Sequence, residues 1–347
     1  SRRELWEIVY HLVEAEGMHG VQPINLVGIT RWMRRWLLGV DDAVFEPELA
    51  VRSAAELQCT PRGQVMWLPG QRSVFDLLRD RNTELRRERE ANWNKTPREQ
   101  SLDRVRALAG VGRFDELPPS KVKATHQEPL ERFGVKVRRA TVEYGAVQIP
   151  VAAFVPTGWK SQVIYLHSEG KQVAARPGGP VEKLVKQGVA VVAVDLEGLG
   201  ETQVRHPRDW GRELFGPNTQ EFFLAYLQRQ SVVGIHVENI WAITRSLDAV
   251  RGDANATVVR PRLIAEGPAA GVAALHAAAL APDRFESLEL HRSLRSWTSV
   301  IESPAAGHCL PQAIHAALTT YDLPDLANSL PKNYVKSLDE VDATNAK

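Results

Sequence analysis

A mostly parallel, doubly wound α/β sheet preceded by a helical extension is predicted by three features of the 347-residue sequence. From residue 160 onward, apolar runs of strand length alternate with helical patterns, and such alternation calls for right-handed βαβ crossovers. VAVVAVDL (189–196) is apolar almost throughout, as a strand buried on both faces of a parallel sheet must be. RLIAEGPAAGVAALHAAALAP (262–282) reads as a strand, a glycine-bounded turn and a long alanine-rich helix. Ligands of such a sheet are expected beyond the carboxyl ends of its strands.

The elements follow in order. ELWEIVYHLVEAEG (4–17) has helical spacing, and a second helix runs from about Ile24 to near Gly39. There Ile29, Trp32, Met33, Trp36 and Leu37 share one face opposite Arg31, Arg34 and Arg35, which suits docking on a core or, alternatively, a membrane surface or nucleic acid. Irregular sequence leads to a helix from near Ser73, whose five arginines against four acids across 79–90 describe a solvated face rather than a basic strip. PREQSLDRVRALAGV (97–111) is another helix, and ELPPSK (116–121) a linker. VKVRRATVEY (135–144) and QIPVAAFVP (148–156) are strands turned at Gly145. Then come a strand SQVIYLH, a helix PVEKLVKQG, the strand VAVVAVDL, a long helix over 230–250, the strand–helix unit at 262–282, and the strands FESLELH and NYVKSLDEV. The loop 203–230, with Trp210, Phe215, Phe222, Phe223 and Tyr226, is aromatic enough to pack on the core or line a pocket. The expected division is a helical segment at 1–45, a linker and helical region at 46–125, and an α/β domain at 126–347.

Bulk properties exclude several functional classes. Hydrophobic residues are 44% and charged residues 24%, ordinary values for a folded globular chain. A formal net charge of +1 provides no global field to gather nucleic acid or anionic lipid. No apolar run approaches the roughly 20 residues of a bilayer span. Cys59 and Cys309 are too far apart for a CxxC redox or zinc pair, which leaves one disulfide or two inert thiols. No signal-peptide layout opens the chain, which starts at Ser1; an extracytoplasmic location stays open.

Four segments after strands carry the chemistry: LHSEG (166–170), VDLEGLGET (194–202), GPAAG (267–271) and LDEVDA (338–343). Their order and spacing over about residues 130–345 resemble the α/β-hydrolase fold, in particular acetyl xylan esterase and dienelactone hydrolase-like proteins. In active members the GPAAG position holds G-x-S-x-G, with a serine on a strained turn between strand and helix. The resemblance puts Ala269 at the nucleophile position, where a methyl group cannot attack a carbonyl. It puts the acid at Asp342, with Asp339 a weaker choice, and the oxyanion donors on the backbone of Ser168 and Ala270. The histidine that should follow Asp342 is absent from the residues after it. His276, His291, His308 and His315 are poor substitutes, His167 ends a strand, and no base is evident to make Ser168 a displaced nucleophile. His19, in MHGVQPINLVGITRWMRRWLLG (18–39), resembles the His-Gly end of a hydrolase domain. That order implies either the tail of a preceding tandem hydrolase domain or a circular permutation.

No cofactor or metal is expected. DLEGLGET does not complete G-x-G-x-x-G, GKQVAARPGGP lacks the phosphate-loop spacing, and no HExxH, paired CxxC or calcium loop occurs. The leading expectation is a carbohydrate-esterase-like domain that is catalytically degenerate. Its rivals are an active serine esterase whose nucleophile has been changed from serine to Ala269, and an interaction module built on the helical residues 1–120. Partners under these readings are a carbohydrate ester or other small ester and a tandem hydrolase domain, with no nucleic acid and no membrane span.

Overall fold

The computed structural model describes residues 20, 22–45, 48–125, 130–204, 215–216, 218–252, 259–303 and 307–342. The chain divides into two compact units, Ser1–Gln71 and Arg72–Lys347. The helix expected over 4–17 lies outside the described residues, as does His19.

In the first unit, helix α1 (Pro23–Met33) starts on a proline, whose fixed φ suits the first helical turn. It continues as a wider turn over Arg34–Leu38 and stops at Gly39, which takes the left-handed φ of 67°. Its arginines are neutralised locally: Arg34 forks onto Asp42 at 2.7 Å, and Arg31 meets Asp41 at 3.1 Å. No side chain of α1 is buried.

The second unit is built on a nine-stranded sheet: β1 (Ser120–Ala124), β2 (Leu130–Arg132), β3 (Val135–Tyr144), β4 (Val147–Phe154), β5 (Gln162–His167), β6 (Ala190–Val194), β7 (Arg262–Glu266), β8 (Leu288–His291) and β9 (Val335–Leu338). The order is β1-β3-β4-β6-β5-β7-β8-β9, with β2 pairing β3. From β6 to β9 the strands run parallel, and β1, β2, β3 and β4 form an antiparallel front. The front is larger than expected, because β1 forms where the sequence reads as linker. Its alternating Lys121 and Lys123 suit an exposed edge strand.

Helices α2 (Val74–Lys95), α3 (Arg98–Ala109), α4 (Pro180–Lys186), α5 (Thr219–Leu227), α6 (Val232–Arg245), α7 (Pro268–Leu280) and α8 (Leu323–Asn328) surround the sheet, with shorter turns between them. α7 is rich in alanine because it runs close against its neighbours; every residue from Ala270 to Leu280 is buried. Trp241 on α6 donates its indole N–H to the Ala277 carbonyl at 3.1 Å. On this face α3 also joins the core through Leu102, Val105 and Ala109, so α2 and α3 belong to the same unit as the strands. Ser231 caps α6 and donates to the Ala109 carbonyl at 2.8 Å. A smaller apolar cluster with Val181 and Val185 of α4 covers the other face. On α5, Phe223 and Tyr226 remain exposed instead of packing inside, and Trp210 lies outside the described residues.

Candidate functional site

The sheet's parallel strands end together at one edge, and a tight bend there follows β7. Leu263, Ile264 and Ala265 anchor that strand in the core. Gly267 then turns the chain with φ 89° and ψ 167°, a region open essentially to glycine alone. Pro268 occupies the first position of α7. The expected bend between strand and helix is therefore present, but its apex is Gly267. Ala269 lies two residues further on, within the first helical turn, and packs against the core. The proline explains the offset: its ring presets a helical φ, so the helix begins at 268 and the reversal must fall on the residue before it.

Ser168, at the end of β5, fills the space above this bend. Its hydroxyl accepts from the Ala270 N–H at 3.1 Å and donates to the Glu266 carbonyl at 3.2 Å. Its own backbone N–H donates to that same carbonyl at 2.9 Å. The two donors expected to form an oxyanion hole are thus already engaged within the protein. A Cβ on Gly267 would stand 2.5 Å from the Ser168 hydroxyl, and one on Gly271 2.6 Å from the Cβ of Ser293. Both glycines of the motif are required, the first for conformation and space, the second for space.

The remaining expected residues among those described have partners or places of their own. Asp342 follows β9, where Val341 bridges to Leu294, and its carboxylate pairs with the exposed Arg295. Asp339 is an exposed turn residue with φ 51°. The imidazole of His276 is fully buried; its Nδ1–H donates to the Val272 carbonyl at 2.7 Å, and its Nε2 accepts from the Tyr321 hydroxyl at 2.8 Å. Burial pushes its pKa down to about 4. His291 meets Glu289 at 2.7 Å, His315 packs on Tyr226, and His308 is a turn residue with φ 61°. His167 accepts from the Glu169 N–H through Nδ1 at 3.0 Å, and its Nε2 faces Glu266 at 3.8 Å; burial lowers its pKa, against the opposing pull of Glu266. Among the described residues no histidine is hydrogen-bonded to Ser168 or Asp342. No group of three His, Cys, Asp or Glu among them is placed to hold a metal, and none of their helices is long and apolar enough to cross a membrane. Both cysteines are free thiols.

Sequence reasoning missed a second constellation, at the carboxyl end of β6. Asp195 is fully buried, and its carboxylate lies 2.6 Å from the Lys171 ammonium. Lys171 also reaches Glu201 at 2.7 Å, and the Glu201 N–H donates to Asp195 at 3.0 Å. Gly200 and Gly170 make the room: a Cβ on the former would strike the Asp195 carboxylate, and one on the latter would come within 2.5 Å of Gly200 Cα. The signal is DLEGLGET itself, whose two glycines follow a buried strand without completing a nucleotide fingerprint and so leave room for a carboxylate.

The sheet order β3-β4-β6-β5-β7-β8-β9 carries a tight strand-to-helix bend after β7, and the chain as a whole is similar to solved structures. A proposed acetyl xylan esterase from Bacteroides fragilis NCTC 9343 superposes with a TM-score of 0.53 over 76% of this chain and 74% of its own, at 11% identity. The fold is that of the α/β hydrolases. Also similar, at lower TM-scores, are acetyl xylan esterase 1 from Thermoanaerobacterium sp. JW/SL YS485 (0.37, 18% identity, 56% of this chain and 59% of that one) and a dienelactone hydrolase from Anabaena variabilis ATCC 29413 (0.33, 18% identity, 48% and 65%). No protein-family model and no curated protein matches the sequence.

Proposed function

We propose that this chain is an esterase-like α/β-hydrolase domain that does not turn over esters and acts as a binding or structural partner, including to a tandem hydrolase domain. The observation that carries this reading is the contact between Gly267 and Ser168. A glycine at the bend offers no nucleophile, and the Ser168 hydroxyl satisfies the Ala270 N–H that an oxyanion would need. Asp342, engaged with Arg295, has no described histidine to orient. The likeness to acetyl xylan esterases makes acetyl esters the substrates to test.

The experiment is a steady-state assay of the chain against 4-nitrophenyl acetate and acetylated xylo-oligosaccharides. Wild type is expected at the rate of uncatalysed hydrolysis, without saturation. Ala269→Ser is expected to stay there too, because a side chain at 269 leaves from the first turn of α7 and not from the bend. If instead Ala269→Ser gains several orders of magnitude, as a restored triad nucleophile would give, the reading fails and the protein is an esterase lacking its serine.

A further inference from the structure

The turn that carries Ser168 begins on a titratable ring. His167 is the last residue of β5, is only 9% exposed, and stands in register with Glu266 on β7. The residues just before Ser168 and just before Gly267 are therefore neighbours. Glu266 is fixed by Tyr165, whose hydroxyl donates to Oε2 at 2.9 Å, while its Oε1 lies 3.8 Å from His167 Nε2. Its carbonyl holds Ser168 twice, through the backbone N–H at 2.9 Å and the hydroxyl at 3.2 Å. The turn closes where the Gly170 N–H donates to the His167 carbonyl at 2.9 Å.

The ring's other nitrogen makes this turn conditional on charge. His167 Nδ1 accepts from the Glu169 N–H at 3.0 Å, so the neutral ring carries its proton on Nε2, toward Glu266. A second proton must go to Nδ1, and an imidazolium has no lone pair left to accept with. Two N–H groups would then point at each other across 3.0 Å. The peptide joining Ser168 to Glu169 has to turn to relieve that opposition, and it is bonded directly to the residue whose hydroxyl fills the bend. Burial pushes the pKa of His167 down; Glu266 from β7 and Glu169 from the turn pull the other way, and the exposed Arg176 and Arg292 add to the lowering. On β8, His291 is next to Glu266 in register but is engaged with Glu289 at 2.7 Å. The Glu266 carboxylate is thus the group beside which the cation can settle.

We propose that His167 is an acid-operated catch on the Ser168 plug: a proton on Nδ1 expels the Glu169 N–H, turns the Ser168–Glu169 peptide, and draws the Ser168 hydroxyl off the Ala270 N–H. The catch uses contacts within this chain and does not depend on whether the chain turns over esters. The test follows the isotopically labelled full chain by NMR between about pH 8 and pH 5, the span in which an imidazole changes charge. The His167 ring nitrogens and the Glu169 and Ala270 amides should move together, with one midpoint below the value of about 6.5 for a free imidazole. Hydrogen exchange at Ala270, corrected for its intrinsic pH dependence, should lose about ten-fold in protection on acidification, the worth of one hydrogen bond. In His167→Gln, whose side-chain oxygen can accept from the Glu169 N–H but cannot titrate, that protection should stay constant. In Ser168→Ala it should be low at both ends of the range while His167 still titrates, and His291→Gln should leave the transition in place. The proposal is overturned by a His167 ring that stays neutral until the fold itself is lost, by a ring that titrates while Ala270 keeps its protection, or by the same loss of protection in His167→Gln.

Discussion

The bends after β6 and β7 are built on the same device and filled by opposite chemistry. Each uses glycines to let a polar side chain sit where other residues would put a Cβ: Gly200 and Gly170 around Asp195, Gly267 around Ser168. After β6 the occupant is a fully buried carboxylate balanced by a buried ammonium. After β7 it is a neutral hydroxyl making two ordinary hydrogen bonds. A charge in that position must be matched and is intolerant of loss, whereas a hydroxyl is a cheaper plug that closes a bend without committing it to ionic chemistry. The first bend is held by electrostatics and the second by conformation and space.

The sharpest way to break the comparison is to remove the ammonium. Lys171→Met keeps much of the side-chain volume but leaves Asp195 buried with only backbone N–H donors. Stripping one partner from a buried ion pair costs about 3–5 kcal/mol. Urea denaturation should show a loss of that size, with the slope of the transition unchanged. A loss below about 1 kcal/mol would mean that water reaches Asp195 and that the β6 bend is no more electrostatic than its neighbour.

At the β7 bend the matching change is Gly267→Ala. A residue with a Cβ at φ 89° and ψ 167° is strained by about 1–3 kcal/mol, and the collision with the Ser168 hydroxymethyl adds about 1–3 kcal/mol of overpacking. Only the second part depends on Ser168. Combining Gly267→Ala with Ser168→Gly should therefore recover about 1–2 kcal/mol relative to the sum of the single changes, a coupling measurable by a double-mutant cycle. Strict additivity would show that Ser168 is not what closes the bend.

These bends also show where sequence is legible and where it is not. The strand–glycine–helix unit at 262–282 was readable because its apolar run, glycines and alanines are all local signals. What the spacing of Gly267 and Gly271 does not show is where the helix starts: that is set by Pro268, inside the motif, with the positive-φ turn on Gly267. The pairing of Lys171 with Asp195 joins residues 24 apart through the crossover between β5 and β6, and no local pattern encodes which lysine a buried aspartate will meet. The edge strand β1 was lost for a related reason: five residues with charged side chains on one face resemble a linker until β3 is placed beside them. Of the histidines that the sequence offers as poor substitutes, His276 is a core residue, held by Val272 and Tyr321.

The smallest expected effect separates the bends by acid. Behind each stands a buried imidazole: His236 on α6 lies 2.7 Å through Nε2 from the Glu197 carbonyl of the β6 bend, and His276 lies on α7, the helix leaving the β7 bend. Burial pushes both down to about 4, despite the hydrogen bonds that each makes to a backbone carbonyl. An unfolded histidine titrates near 6.5, so on acidification the unfolded chain takes up each proton before the folded one does. The stabilisation associated with the neutral rings is therefore intact above about pH 6.5, falls as pH drops toward 4, and changes no further below that. By pH 5 each ring should account for a loss on the order of 2 kcal/mol relative to neutrality. His236→Gln places an amide donor where Nε2–H stands and cannot titrate, so chemical denaturation at pH 7 and pH 5 should show it losing about that much less than wild type across the interval. Equal losses in the two proteins would mean that His236 accepts its proton in the folded state, which requires the β6 bend to open to water while its ion pair holds.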